Sequence, residues 1–207
     1  SVAGLREIVT EKLCARKGEQ GWTDWEMVLV LVLMNLAGAT SVSDVRMLAA
    51  DAGFIKLFRR VAQHGLRRRE RRELERRWRR KRDGDVPSCS SIFRGLAAFH
   101  DPEQEELRRK LAERAAADPT QPKAFIPAPD EHLRGLVQVV AAVVAFLQHH
   151  APVAVATLDM DATLVPTTKG SALFCYEHYR AYQPLTTFWF EQGLIVHSEF
   201  RDGNVPA

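Results

Sequence analysis

The chain has 207 residues, 46% of them hydrophobic and 27% charged, enough for one or two domains with real cores. Its three cysteines, Cys14, Cys89 and Cys175, lie far apart, which argues against a disulfide framework and against zinc-ligand spacing. There is no signal-peptide pattern, and the longest apolar run, Met27–Met34, is far short of the roughly 20 residues of a membrane span, so the expected setting is the cytoplasm, with no membrane partner.

Residues 5–17 read as a short amphipathic helix broken by Gly18 and Gly21. Thr23 or Asp24 caps the next helix, about Trp25 to Leu36, and Gly38 ends it. Its VLVLVLM run also suits a strand, but a cap before it and a Gly after it favour helix. Ser41 and Asp44 form a capping pair for a third helix, with Val45, Leu48 and Ala49 on one face. A fourth helix, about Gly53 to Gln63, is expected to turn Phe54, Leu57, Phe58 and Val61 inward.

Arg67–Arg82 follows, reading RRRERRELERRWRRKR. It holds eleven Lys or Arg and three Glu, so it carries +8 of a chain whose net charge is +3, and the remainder carries −5. Strong helix formers and the i,i+4 pairs Glu73–Arg77 and Glu75–Arg79 predict a helix with only Leu66, Leu74 and Trp78 as apolar residues. Three roles suit it: a solvated face, a membrane-surface helix or a nucleic-acid contact.

Pro87-Ser88 opens another helix with Ile92, Phe93, Leu96 and Phe99 on one face, and Asp101-Pro102 starts one that ends near Ala117. Residues 118–130 contain four prolines and read as a linker. Leu133, Leu136, Val137, Val140, Ala141, Val144 and Leu147 then keep helical spacing up to His149-His150, and Pro152 stops that helix. The two histidines read as surface residues at a helix end. Val153–Met160, Ala181–Glu191 and Leu194–Phe200 read as three strands of a meander, the last two joined by Gln192-Gly193, with a turn over Arg201–Asn204. Tyr176, Tyr179 and Tyr182 suit strand-face packing better than base stacking, and Lys169 and Arg180 are basic residues close by.

Strand alternation puts Asp159 and Asp161 on one face at the end of the first strand. Two carboxylates side by side are costly unless solvated, protonated or bound to a hard cation. Taken alone, such a pair is an ordinary strand end.

The wider series Asp159-Met160-Asp161-Ala162-Thr163, Tyr182-Gln183-Pro184-Leu185 and Glu199-Phe200-Arg201-Asp202-Gly203-Asn204 resembles the catalytic-domain opening of DDE-type transposases of bacterial insertion sequences, in the branch with an L-D-x-D-A-T strand. Upstream, Gly21-Trp22-Thr23-Asp24, Ser43-Asp44 and Val86-Pro87-Ser88 resemble the amino-terminal region of that branch, so the likeness spans roughly residues 21–207.

The resemblance implies a mixed α and β chain: a helical DNA-binding region at 1–117, a Pro-rich linker at 118–130, and at 131–207 the first strands of an incomplete ribonuclease-H-like α/β catalytic domain. It makes Asp161 the first triad residue and a metal ligand, with Asp159 as runner-up, in a site for two Mg²⁺ ions. The second Asp and the Glu belong further along than this sequence runs, so the chain alone is expected to be inactive. DNA, specifically the element ends, is the implied partner, together with self-association or the full-length transposase, in a bacterial cytoplasm and close to the nucleoid. Expected DNA contacts are Arg67, Arg68, Arg69, Arg71, Arg72, Arg76, Arg77, Arg79, Arg80, Lys81 and Arg82, with Ser90, Ser91 and Arg94 on the following helix, and Lys169 and Arg180 near the acidic strand. The alternatives are a truncated DNA-binding repressor of transposition and a remnant without function.

Overall fold

The computed structural model describes residues 4–16, 21–80, 84–118, 120 and 124–205, without the side chains of Arg79 and Arg80. It is a mixed helix and sheet structure in two compact units, Ser1–His100 and Asp101–Ala207.

The first unit is helical. Helix α1 covers Leu5–Lys12 and stops earlier than its sequence pattern, because Leu13 turns extended and buries its side chain. Helix α2, Asp24–Leu36, begins with a complete capping box: Thr23 Oγ1 accepts from Glu26 N at 3.2 Å, and Glu26 Oε2 accepts from Thr23 N at 2.7 Å. It buries Trp25, Met27, Leu29, Val30, Leu33 and Met34, and Gly38 at φ +80° supplies the left-handed stop. The VLVLVLM run is therefore core helix, as cap and stop predicted.

Ser41 and Asp44 do pair, but over a single 3₁₀ turn, Val42–Asp44, that leads into the short α3, Val45–Ala49. Helix α4, Ala52–Gln63, is capped by Asp51 and buries Phe54, Phe58 and Ala62. Leu57, expected inward, is 48% exposed. The i,i+4,i+8 stripe of buried residues leaves it about 100° off the stripe's centre.

Helix α5, Arg68–Arg80, attaches through Leu74 and Trp78, both buried. Each such side chain contributes on the order of 1.5–3 kcal/mol, enough to hold a helix that is otherwise almost entirely charged. Helix α6, Cys89–Leu96, is capped by Ser88 and buries Ser91 and Ile92. Phe93, expected on the inner face with Ile92, is 57% exposed because the neighbouring position on a helix faces about 100° away.

The second unit begins with α7, Pro102–Ala117, started by Asp101 and Pro102 as the sequence indicates. The helix belongs with the carboxy-terminal strands rather than with the first region, because Arg108 makes a two-pronged ion pair, 2.7 and 2.9 Å, with the buried Asp202. Helix α8, Glu131–His150, is capped by Asp130, contacts the last strand and fully buries only Gly135 and Val139. Among the described residues it is the one helix long and apolar enough to cross a membrane by length and composition, a property that uninterrupted apolar runs do not reveal.

Strand β1 is Leu158–Ala162, not Val153–Met160. The Val153–Ala156 segment has no strand partner among the described residues, and Val153 is instead tied to the Gln148 side chain. The Ala181–Glu191 segment is two strands, β3 (Ala181–Tyr182) and β4 (Leu185–Trp189), parted at Gln183-Pro184, where proline has no N–H to donate. Val165–Pro166, β2, pairs with β3, and Leu194–Glu199, β5, follows the Gly193 turn. The sheet is antiparallel in the order β1-β4-β5, the expected three-stranded meander, with the β2–β3 pair inserted between its first two strands. The Arg201–Asn204 turn forms, and Val205 N donates to Asp202 O across it.

Candidate functional site

Two surfaces carry the chemistry singled out in the sequence, one in each unit. The first is α5. Viewed down the helix at 3.6 residues per turn, Arg68, Arg72, Arg76 and Arg69 fall within an arc of about 100°, opposite Leu74 and Trp78. All four are exposed, and Glu70, Glu73 and Glu75 all lie outside that arc. Two glutamates are engaged elsewhere, Glu70 accepting from Arg67 N at 2.7 Å and Glu75 from Gln63 Nε2 at 3.2 Å, whereas Glu73 accepts from Arg69 Nε at 3.2 Å, at the edge of the arc. The Glu73–Arg77 pair expected from spacing does not form.

Arg77 turns inward instead and meets Glu26, 1% exposed, at 2.7 Å. Glu26 is the hub of this unit. Its Oε2 accepts from the Thr23 N–H and hydroxyl, and its Oε1 accepts from Arg77 and from Trp78 Nε1, the latter at 2.7 Å. A capping residue of α2 therefore also fastens α5. The sequence signal for the first role was the Thr23-x-x-Glu26 spacing; the second has no local signature. Nearby, burial holds the Arg6 guanidinium below its ordinary range.

On α6, Ser90 and Arg94 are exposed, whereas Ser91 is buried against the Ser88 cap, its hydroxyl 3.0 Å from that of Ser88. Arg94 leans back on its own helix through Ser90 O and Ser91 Oγ. Arg67 and Arg71 are exposed; Lys81, Arg82 and the side chains of Arg79 and Arg80 lie outside the described residues.

The second surface is the sheet. Asp159 and Asp161 lie within β1 rather than at its end, opposite Phe188 and Thr186 of β4, and Thr186 in turn faces Ser198 of β5. Both carboxylates are exposed, and Asp161 Oδ2 accepts from Thr163 Oγ1 at 3.2 Å. Among the described residues no three His, Cys, Asp or Glu side chains converge as metal ligands. Glu191, which no sequence pattern singles out, accepts from both the hydroxyl and the N–H of Thr157, and these bonds hold its carboxyl below the usual range.

Arg180 is spent on the loop it closes, donating to the carbonyls of Gly170 and Ala172 with its guanidinium over Phe174. Lys169 sits over the Tyr182 ring, which itself packs on Phe200. His149 and His150 are exposed, with the His150 ring packed at a tilt against Phe146, centroids 4.3 Å apart. Comparison with protein-family models, with curated proteins and with solved structures finds no match to this chain.

Proposed function

We propose that this chain is the DNA-binding region and the first catalytic strands of a DDE-type insertion-sequence transposase, its ribonuclease-H-like core opening at β1. The observation that carries the reading is the outward arc of α5, where Arg68, Arg72 and Arg76 are exposed with no carboxylate partner among the described residues, while Glu73 reaches only Arg69 at the edge of the arc. Such a face attracts a polyanion. A lipid surface suits it less well, because Leu74 and Trp78 are buried in the protein and α5 has no apolar face to insert. Arg68, Arg72 and Arg76 contact backbone phosphates, which fixes position without reading sequence. Ser90 and Arg94 are the α6 groups open to bases.

Asp159 and Asp161 support the catalytic half of the reading. They offer two solvent-facing oxygen ligands on one strand face, with the Thr163 hydroxyl orienting Asp161. Asp161, with Asp159 beside it, is the residue that would hold Mg²⁺, which when bound neutralises charge at the attacked phosphorus. A repressor that occupies element ends without cutting them is the second reading. It is favoured by the basic face lying wholly within the first unit, where DNA binding needs no carboxylate.

Fluorescence anisotropy with a short labelled duplex tests the proposal. The logarithm of affinity falls linearly with that of salt, and Arg72→Gln/Arg76→Gln makes the slope shallower by about 1.8, roughly 0.9 for each phosphate no longer neutralised. Binding indifferent to salt, or a double variant with the parent slope, refutes the reading.

A further inference from the structure

The first unit has a second cationic surface that the Arg-rich stretch does not account for. A groove of about 770 Å³ runs along α4, with Lys56, Arg59, Arg60, His64 and Arg71 around it and Asp85 as its one acidic residue. Asp85 is already matched, since Arg59 pairs with it while lying 5.7 Å over the Trp78 ring. Lys56 and Arg60 are one helical turn apart on α4 and exposed, and neither has a carboxylate partner among the described residues. Arg71 is exposed as well, and its Nε donates to Leu66 O at 2.9 Å, which anchors the guanidinium on the α5 side of the groove. Ala52 and Ile55 also line the groove.

Arg71 also links the groove to the outward arc. It lies about 60° around α5 from Arg68, on the side away from Arg76. Arg72, Arg68 and Arg71 thus lead from the crest of α5 towards Arg60 and Lys56 of the α4 groove, with Glu75 also on that side of α5, where it accepts from Gln63 Nε2 at 3.2 Å.

We infer that the α4 groove is a second phosphate-binding surface, which takes the sugar–phosphate backbone of the same duplex that lies on α5. The inference rests on the DNA-binding reading above and adds to it residues outside the Arg-rich stretch. It assigns Lys56 and Arg60 direct phosphate contacts, and Arg71 the contact shared by both surfaces. Phosphate contacts of this kind are ionic, so each contributes to the salt dependence of binding.

The test uses the full 207-residue chain and a fluorescein-labelled duplex of about one and a half helical turns, titrated across a series of sodium chloride concentrations. Lys56→Gln/Arg60→Gln is compared with Arg109→Gln/Lys110→Gln, which removes the same charge from α7, where both residues pair with Glu106. The groove variant is expected to bind about ten-fold more weakly at moderate salt, with a slope shallower by about 1.8, while the α7 variant keeps the parent slope. Both groove substitutions are at exposed positions, and an unchanged near-ultraviolet circular dichroism spectrum confirms the fold. If the groove variant keeps the parent slope while Arg72→Gln/Arg76→Gln loses it, the groove inference falls and the DNA-binding reading stands. Equal losses in the groove and α7 variants reduce the effect to net charge and overturn the inference. A parent chain that binds no duplex overturns both.

Discussion

Glu26→Gln should unfold the first unit more readily than its near-identical shape suggests. The four groups that Glu26 meets, the Thr23 N–H and hydroxyl, the Trp78 indole and the Arg77 guanidinium, all donate to it. A glutamine offers one oxygen and one NH₂, so whichever way it flips, the NH₂ faces donors. The substitution therefore forfeits hydrogen bonds at one end and leaves Arg77 without its counter-charge. Removing one partner of a buried ion pair costs about 3–5 kcal/mol, but the Arg77 side chain is 30% exposed and recovers some hydration, so about 2–3 kcal/mol is expected. For a unit of this size that lowers Tm by roughly 10–20 °C. Trp22, Trp25 and Trp78 are all in the first unit, so urea unfolding followed by tryptophan fluorescence reports chiefly on it. Arg77→Met in the same background should recover part of the loss, because it deletes the stranded cation. A shift below about 0.5 kcal/mol for Glu26→Gln, or a double variant less stable than Glu26→Gln by the full cost of Arg77→Met alone, would refute the account of Glu26 as the fastening of α5.

Gly203→Ala should destabilise the second unit, because a Cβ there would stand 2.4 Å from the Ala181 carbonyl oxygen; a cost of about 1–3 kcal/mol is expected by thermal unfolding, and an unchanged Tm would contradict the packing. Asp44 accepts from the Ser41 and Thr40 N–H groups, which hold its carboxyl below the usual range, so its contribution is full above the unfolded value of 3.8 and is lost as pH falls through the lower folded value. Asp44→Asn should accordingly flatten the acid limb of the stability–pH curve, and a variant with the parent's acid limb would count against it. With Mg²⁺ present, the 207-residue chain should leave supercoiled and linear DNA uncut, since Asp159 and Asp161 on one strand do not make a two-metal site. Asp161→Ala should leave duplex affinity unaltered, and Mg²⁺-dependent cleavage abolished by that substitution would overturn the expectation.

The local parts of this fold are legible in the sequence, because short-range chemistry decides them. Thr23, Ser88 and Asp101, at helix starts read from the sequence, all cap helices by accepting backbone N–H groups within three residues, as do Asp51 and Asp130, which were not singled out from the sequence. The antiparallel meander follows from strand patterns separated by a glycine turn. What spacing could not show are interactions across long separations. Arg77 has Glu73 four residues away and takes Glu26 instead, because a buried carboxylate in need of a donor binds more strongly than an exposed one. The start of β1 depends on how far β4 reaches, and the Val153–Ala156 run is strand-like in composition yet unpaired. Of the residues proposed for function, Asp159 and Asp161 do share a strand face. The basic residues divide into an outward set and an inward one that composition cannot separate, and Lys56 and Arg60 escape notice because two cations in an amphipathic helix are unremarkable.

The division within α5 bears on how its charge should be probed. A helix this basic has little intrinsic reason to stay folded against the protein, since its arginines repel one another and, among its described side chains, only Leu74 and Trp78 are buried. Glu26 offsets that repulsion from below, and on the outer arc Glu73 pairs with Arg69, which leaves Arg68, Arg72 and Arg76 without a carboxylate partner among the described residues. Charge is thereby neutralised where it would oppose folding and retained where it can meet a polyanion. Truncating the whole stretch would consequently confuse loss of fold with loss of binding. Arg72 and Arg76 on one side, and Arg77 on the other, separate the two: the first pair should change the salt slope at constant Tm, and Arg77 should change Tm while the slope of the folded protein holds.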